Sequence, residues 1–339
     1  MHKKRHQTID YRRKTKNFFV LSIVYSLSSI VLFSGCGPKY TYPSNIVPQS
    51  VETICRNENK LDVTARVVGR TLGALFYVDD ILDDKGQIPK EIHEKMGKIM
   101  QAVSRVSLST DMPLDFCVVV IRDRKHLNEL IVTRSVDDTK RANSDALGVE
   151  ESINRTLFGQ GKYQVNDAGE KLFVLKEVTL EDFLAEQIGQ RIRFGFAKPS
   201  PDEDPAAQQP FVLVDGVFTR GDSGTDKKFR FSVLSLKADE PQETVLSALR
   251  TAGEVLKGYR FSNYEGIEIL DYLNRQKLEV PRDAMEDYQD KKITEQEILN
   301  KYLSESQTIQ EAFKLFGFNL SDNAATDTEA VPPIATPTP

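Results

Sequence analysis

The sequence predicts an α+β fold, or a mixed α/β sandwich, in which strands and amphipathic helices alternate and a helical segment closes the body. Three observations favour this class. Apolar residues recur at helical spacing in residues 90–107 and 245–259. A run at 114–121 is apolar on both faces, which is typical of a central strand. Residues 211–220 and 229–236 have the composition of strands and flank a Gly- and Asp-rich loop, which predicts a hairpin.

The first half of the body contains further predicted elements around that helix and central strand. Residues 63–78 favour an extended segment that is broken by Gly69 and Gly73. Residues 126–158 are mostly polar and predict two or three short helices. A short strand is predicted at 171–176.

Helix starts are the clearest local signals. Thr179 with Asp182, and Thr294 with Glu297, fit capping boxes, in which each side chain of the pair caps a free backbone N–H group. Pro241 marks another helix start. The chain then continues with one predicted strand and three predicted helices, at 266–270, 282–289, 294–303 and 308–316. No internal repeat is evident in the sequence.

Composition divides the chain into six segments. They are a leader at 1–35, Cys36 and an extended tether at 36–50, a first α/β half at 51–197, a Pro-rich loop or linker at 198–210, a second α/β half with C-terminal helices at 211–318, and a tail at 319–339. Three prolines predict a tether of about 40 Å, at ~3.1 Å per residue. The tail is rich in Ala, Thr, Asp and Pro and is predicted to be disordered.

Charge is distributed unevenly between the leader and the body. The leader carries seven basic side chains and one acidic side chain, which leaves 38 basic and 49 acidic side chains on the other 304 residues. The body therefore has a net charge of −11. Because contact with phosphates requires a basic face, this balance argues against nucleic acid as a partner.

The leader has the features of an export signal. After a basic region, residues 18–33 are sixteen uncharged residues, fewer than the ~20 that a membrane-spanning helix needs but enough for a signal peptide. The sequence Leu-Phe-Ser-Gly-Cys then ends at Cys36. It resembles the lipobox of bacterial lipoproteins, in which an apolar residue and two small residues precede an invariant Cys. Phe33 departs from the Leu that is commoner there.

The resemblance covers about a tenth of the chain and implies a lipid anchor. The leader would be cleaved between Gly35 and Cys36, and acyl chains such as palmitate would hold Cys36 in membrane lipid. Two or three acyl chains give stable anchoring, whereas one is marginal. The alternative is an uncleaved N-terminal membrane helix, and both place the body outside the cytoplasmic membrane. Gly37, in place of a retaining Asp, favours an outer membrane that faces the periplasm.

The body lacks the patterns of familiar catalytic and metal sites. Its two histidines, His93 and His126, are predicted to be solvated surface residues, and no Cys pair has metal-ligand spacing. The acids Asp79, Asp80, Asp83 and Asp84 come in adjacent pairs, so the alternation that a calcium loop needs is absent. No catalytic residue, metal or cofactor is predicted.

Once Cys36 is assigned to the lipid anchor, Cys55 and Cys117 are the two remaining cysteines, and both belong to the predicted exported body. An oxidising compartment permits a disulfide between them, which would close a loop of about 60 residues. The alternative is two free thiols, since Cys117 lies in the most apolar strand, where a buried thiol is ordinary. Both alternatives remain open at this point.

Two functions are compatible with the sequence. The first is a membrane-anchored envelope lipoprotein with a non-catalytic interaction or assembly role and an envelope protein as its partner. The second is a tethered carboxylate-based enzyme or a small-ligand-binding protein, because paired acids need no His for acid–base chemistry. A deep pocket with two converging buried carboxylates would favour the second, and an exposed apolar patch would favour the first.

Overall fold

The computed structural model describes residues 40–163, 174–197, 211–221, 226–235, 241–305 and 315–316. These residues form two five-stranded mixed sheets and eight α-helices, which confirms the predicted α+β fold. The leader, Cys36, the Pro-rich segment 198–210 and the tail 319–339 lie outside the described residues, as does most of the helix predicted at 308–316.

The first unit of the structure extends from residue 40 to residue 163. Its elements are α1 (Val47–Asn59), β1 (Thr64–Val68), β2 (Thr71–Val78), α2 (Lys90–Leu108), β3 (Phe116–Asp123), β4 (Asn128–Ser135), α3 (Val136–Asn143), α4 (Val149–Asn154) and β5 (Leu157–Lys162). The sheet order is β1-β2-β3-β4-β5, and β2 and β3 form its parallel pair.

The second unit extends through the described residues from 180 to 305. Its elements are α5 (Leu180–Ala197), β6 (Val212–Arg220), β7 (Lys227–Ser235), α6 (Pro241–Tyr259), β8 (Gly266–Asp271), β9 (Gln276–Pro281), α7 (Arg282–Gln289), α8 (Glu295–Tyr302) and β10 (Leu303–Glu305). The sheet order is β6-β7-β8-β9-β10, and β7 and β8 are parallel.

The two units repeat one architecture. Each has a helix, a hairpin, a 19-residue helix, a strand parallel to the hairpin's second strand, an antiparallel strand, two short helices and an edge strand. Turn geometry agrees as well: the β3–β4 and β8–β9 turns each end on a residue with left-handed φ, Leu127 (58°) and Arg275 (53°). Residues that follow α3 and α7, Asp145 and Lys291, share the same backbone conformation.

Each unit has its core between its sheet and its first two helices. In the first unit the apolar stripes of α1 and α2 pack on one face of β1–β4. In the second, α5 and α6 pack on β6–β9, and Phe183, Phe229 and Phe231 are fully buried there. Burial of one such side chain stabilises a fold by about 1.5–3 kcal/mol, so these stripes determine where the helices lie.

The sheet faces opposite these helices differ between the units. In the first unit the middle of this face is apolar, with Leu75, Val118 and Val120 buried and Leu175 packed against them, and the ion pair of Arg122 with Glu129 lies at its end. In the second unit it carries ion pairs, with Glu268 2.6 Å from Arg230 and 3.1 Å from Lys277, next to a small apolar cluster that contains Leu234 and Leu270.

A buried polar network joins the two units. Arg155 contacts Asp138 at 2.9 Å within the first unit, and Tyr259 of α6 donates a 2.5 Å hydrogen bond to the other carboxylate oxygen of Asp138. The rings of Phe116 and Phe183 pack across the same boundary, 5.0 Å apart. Because this contact is both apolar and hydrogen-bonded, the units are packed together rather than joined only by the chain.

The structure corrects the predicted extended tether. Residues 44–46 form a 3₁₀ turn and α1 begins at Val47, with Pro48 in its first turn, where proline is compatible with a helix. Val47 and Val51 are fully buried one helical turn apart. Burial of this stripe accounts for a helix where the prolines predicted an extended chain.

The structure also differs from several other predictions. β4 lies within the region predicted to be helical, and β9 and β10 were not predicted. Residues 174–176 of the strand predicted at 171–176 are not in a strand, and the others lie outside the described residues. The sequence division placed α5 in the first half, but α5 packs on β6 and α6. The remaining predicted helices are present, and so is the complete capping box of Thr294 and Glu297. At the other predicted box, Thr179 accepts the N–H of Asp182, but the Asp182 carboxylate accepts the Thr179 hydroxyl and not a backbone N–H.

No helix in the described part of the chain is long and apolar enough to cross a membrane.

Candidate functional site

The acidic loop after β2 borders an open pocket of about 320 Å³. The pocket lies at the carboxyl end of the parallel pair β2 and β3, a place where α/β proteins often bind ligands. Its charged lining is already paired, since Asp79 contacts Arg124 at 3.3 Å and Glu91 contacts Lys95 at 2.5 Å. A charged ligand would have to replace these ion pairs, so the pocket is not a preformed charged site.

Asp80, Asp123 and His126 bring three potential metal-ligand atoms within 4.8 Å of one another. His126 Nδ1 lies 2.8 Å from Asp80, whose second oxygen contacts Lys125 at 2.6 Å. The hydrogen bond with Lys125 is the main reason that the pKa of Asp80 is lowered. The ammonium group of Lys125 therefore already pairs with Asp80, through the carboxylate oxygen that does not contact His126.

The repeated architecture explains why Asp123 is buried. Asp123 accepts backbone N–H groups of its hairpin turn and the side-chain amide of Asn128. Asp271 holds the equivalent turn in the second unit in the same way, with the amide of Asn274, and has no His beside it in the turn. Asp123 thus stabilises its hairpin, and the described residues give no independent support for a metal site. His93 and His126 are exposed, as predicted.

Carboxylates with a raised pKa do not form an acid–base pair. Burial raises the pKa of Asp271, which serves its hairpin turn. Glu186 is an exposed residue, yet desolvation of its carboxyl and the negative charge of Asp215 raise its pKa. No hydrogen bond connects Glu186 and Asp215 within the described residues, and neither residue lines the pocket beside the acidic loop.

Cys55 and Cys117 are both buried and free. They lie in the core of the first unit, and the Cys117 thiol is 3.2 Å from the Ser107 hydroxyl. Burial raises the pKa of each thiol to about 11. Of the two alternatives that the sequence left open, the structure has the free thiols.

The strongest candidate for a functional surface is the edge of the first sheet at β5. Four large apolar side chains are exposed on α4, on β5 and on the adjoining helix α5. They are Val149, Ile153, Phe158 and Phe194, with exposures of 80%, 56%, 44% and 53%. We refer to α4, β5 and Phe194 together as the β5 surface.

Hydrogen bonds between α5 and the end of α4 hold the β5 surface together. Gln190 donates to the carbonyl of Thr156 and accepts the backbone N–H of Phe158, each at 2.9 Å. Arg191, the next residue of α5, contacts Glu151 of α4 at 3.0 Å. Phe194 lies one helical turn beyond Gln190, which places it on the side of α5 that faces β5.

The contact with Gln190 also shows which backbone groups of β5 point away from the sheet. Since the N–H of Phe158 points outward, those of Gln160 and Lys162 do so too, because the direction alternates along an antiparallel strand. Their outward N–H and C=O groups have no partner within the described residues. Gly159 and Gly161 add no side chain to block approach.

The other sheet edges are protected. The Glu52 side chain accepts the N–H of Ala65 in β1, and Arg193 donates to the carbonyl of Val214 in β6. β10 has only three residues. Proteins commonly protect edge strands against pairing with other chains. On β5 the N–H of Phe158 is covered in the same way, but the outward groups of Gln160 and Lys162 have no such partner within the described residues.

Sequence reasoning missed the β5 surface. The segment that forms β5 contains two glycines within six residues, a composition that does not predict a strand. The one available signal was the four-residue spacing of the apolar residues Val149 and Ile153. This spacing is just as typical of a buried helix face as of an exposed one.

No protein family, no curated protein and no solved structure matches the chain. Any functional interpretation of the body therefore depends on its own residues.

Proposed function

We propose that the protein is an envelope lipoprotein, anchored through Cys36, whose body binds another envelope protein and does not catalyse a reaction. The observation that carries the binding role is the exposed β5 surface. Exposed apolar side chains clustered beside a free strand edge are typical of protein-binding sites. The carboxylate geometry described above gives the alternative, an enzyme or small-ligand binder, no comparable support.

The proposed mode of binding is strand addition. An extended segment of the partner would pair with the outward backbone groups of Gln160 and Lys162. Phe158 and Ile153 would contribute apolar contacts beside it. Main-chain hydrogen bonds give affinity in such complexes, and side-chain contacts give specificity.

A photocrosslinking amino acid at Phe158 tests this proposal in intact cells. Phe211 of the second unit is the matched control, because the two side chains are similarly exposed, at 44% and 47%. We expect a discrete crosslinked protein with the probe at 158 and none with the probe at 211. Equal crosslinking at both positions, or none at either, would contradict a binding role for the β5 surface.

Gln160→Pro tests the strand pairing itself. Proline removes the outward N–H of residue 160 while leaving the bonds from β5 to β4, so the protein should stay folded but lose the crosslink at 158. Gln160→Ala keeps the N–H and should retain the crosslink. If the Pro variant is folded and still crosslinks, binding does not use the strand edge.

Cys36→Ser tests the anchor separately. We expect this variant to leave the membrane fraction or to remain an unprocessed precursor, as judged by fractionation and intact mass. Unchanged mass and unchanged partitioning into detergent would contradict acylation of Cys36.

A further inference from the structure

The structure places the folded body much closer to Cys36 than the sequence predicts. The N–H groups of Thr41 and Tyr42 both donate to the carbonyl of Ser109, and Tyr42 forms a β-bridge with Thr110. Tyr40 is only four residues from Cys36, and four residues span at most about 14 Å. Residues 40–46, here called the lead segment, are thus held beside whatever surface holds Cys36.

The composition of the lead segment and the residues after it suits a lipid surface. Residues 40–51 contain no charged side chain, although 28% of the whole chain is charged. Within this stretch Tyr40 and Ile46 are exposed, at 53% and 42%. Tyr side chains are enriched at membrane–water interfaces, where the ring is in an apolar region and the hydroxyl group remains hydrated.

Beside the lead segment lie one ion pair and one exposed carboxylate, that of Asp111, which follows Thr110. Arg105 lies next to Tyr42 and is paired with Glu58 at 3.0 Å, so this nearby pair is neutral overall.

We infer that the lead segment is a membrane-facing surface, with Tyr40 and Ile46 in contact with the interfacial region of the bilayer that holds Cys36. This inference rests on the anchor proposed above but not on the partner-binding role of the β5 surface. It gives the body a defined orientation: the end of α2 at Ser109 faces the membrane. The acidic loop lies near the other end of α2, about 28 Å away along the 19-residue helix.

Fluorescence quenching tests the orientation, because the chain contains no Trp. Full-length acylated protein with Tyr40→Trp is reconstituted in phosphatidylethanolamine–phosphatidylglycerol vesicles that contain brominated phospholipid. Phe194→Trp is the matched control, since Tyr40 and Phe194 are equally exposed, at 53%. We expect the indole at position 40 to shift to shorter wavelength and lose most of its emission, and the indole at position 194 to be unchanged.

Intact mass separates failure of the anchor from failure of the orientation. An acylated protein whose indole at position 40 is not quenched overturns the inference and leaves the anchor standing. Equal quenching at both positions overturns it too, because the body would then have no preferred face. A protein without acyl mass overturns the anchor and, with it, the inference.

Discussion

The middle of the first sheet's face opposite its helices is apolar, whereas the equivalent part of the second sheet's face carries ion pairs. Val120 and Glu268 are equivalent by position, since each lies three residues before the Asp that ends its strand. Val120 packs with Leu75 and Val118, and Glu268 is held between Arg230 and Lys277. One backbone architecture therefore accommodates two kinds of sheet face, because hydrogen bonds along the strands do not depend on side chains.

The short helices differ between the units in the same way. α8 buries Ile298 and Leu299 against the second core, whereas α4, its counterpart, buries none of its residues. Ile153 and Val149 of α4 are exposed instead. The exposed apolar residues of α4, which its counterpart α8 lacks, are part of the basis for the proposed partner-binding surface.

Replacing each of the two equivalent strand residues, Val120 and Glu268, by the residue type of the other should produce the largest change in the free energy of unfolding. Val120→Glu places an unpaired carboxylate on an apolar face, and we expect it to lower the free energy of unfolding by at least about 3–5 kcal/mol. Glu268→Val should cost only about 1 kcal/mol, since Arg230 and Lys277 are partly exposed and can turn to solvent. Urea denaturation measures both values.

Val120→Thr is the control for this exchange. It keeps the volume of the side chain and replaces one methyl group by an uncharged hydroxyl group. The free energy of unfolding should therefore fall by an intermediate amount, about 1–3 kcal/mol. Equal losses for Val120→Glu and Glu268→Val would show that the two faces are equally tolerant of charge, contrary to the structure.

Truncating one side chain in each of the two equivalent short helices, α8 and α4, should give a smaller difference in stability. Leu299→Ala removes a buried side chain and is expected to cost about 2–4 kcal/mol. Ile153→Ala alters an exposed side chain and should change stability by less than about 0.5 kcal/mol, while weakening the crosslink at position 158. A large loss of stability for Ile153→Ala in thermal unfolding would mean that α4 is packed, and it would remove the basis for the β5 surface.

The elements that the sequence predicted well have strong local signals. α6 and α7 follow from apolar spacing and helix-start residues, and the capping box at Thr294 marks the start of α8. β4 was missed because polar residues surround its short apolar run, and β9 because only two of its residues, Leu278 and Val280, are buried among polar neighbours. Tertiary pairing, not local preference, determines such strands.

The repeat and the candidate site were beyond sequence reasoning for a physical reason. Many equivalent positions, such as Val120 and Glu268, keep the backbone but not the side-chain type, and the Asp that the two hairpin turns share, Asp123 and Asp271, is too short a signal to reveal the repeat. The β5 surface depends on exposure, and exposure of Phe158 is decided by where α5 packs. No local pattern in the sequence predicts that contact.

The smallest expected effect is that of thiol labelling on the native protein. This measurement requires no substitution and reports on the first unit alone. Apart from Cys36, the only cysteines are Cys55 and Cys117, both in the first core. With each pKa raised to about 11, only about one thiol in a thousand is ionised at pH 8, and burial excludes the reagent as well. We therefore expect no reaction in the native protein.

Denaturant without reductant should release two reactive thiols per acylated chain. A value of zero would show a disulfide, in contradiction to the structure.

The rate of thiol labelling at intermediate denaturant concentration tests whether the two units unfold together. Because Asp138 of the first unit is bonded to Tyr259 of the second, we expect labelling to follow global unfolding measured by circular dichroism. Labelling that outpaces this transition would mean that the first unit opens by itself, with the network at Asp138 too weak to couple the two.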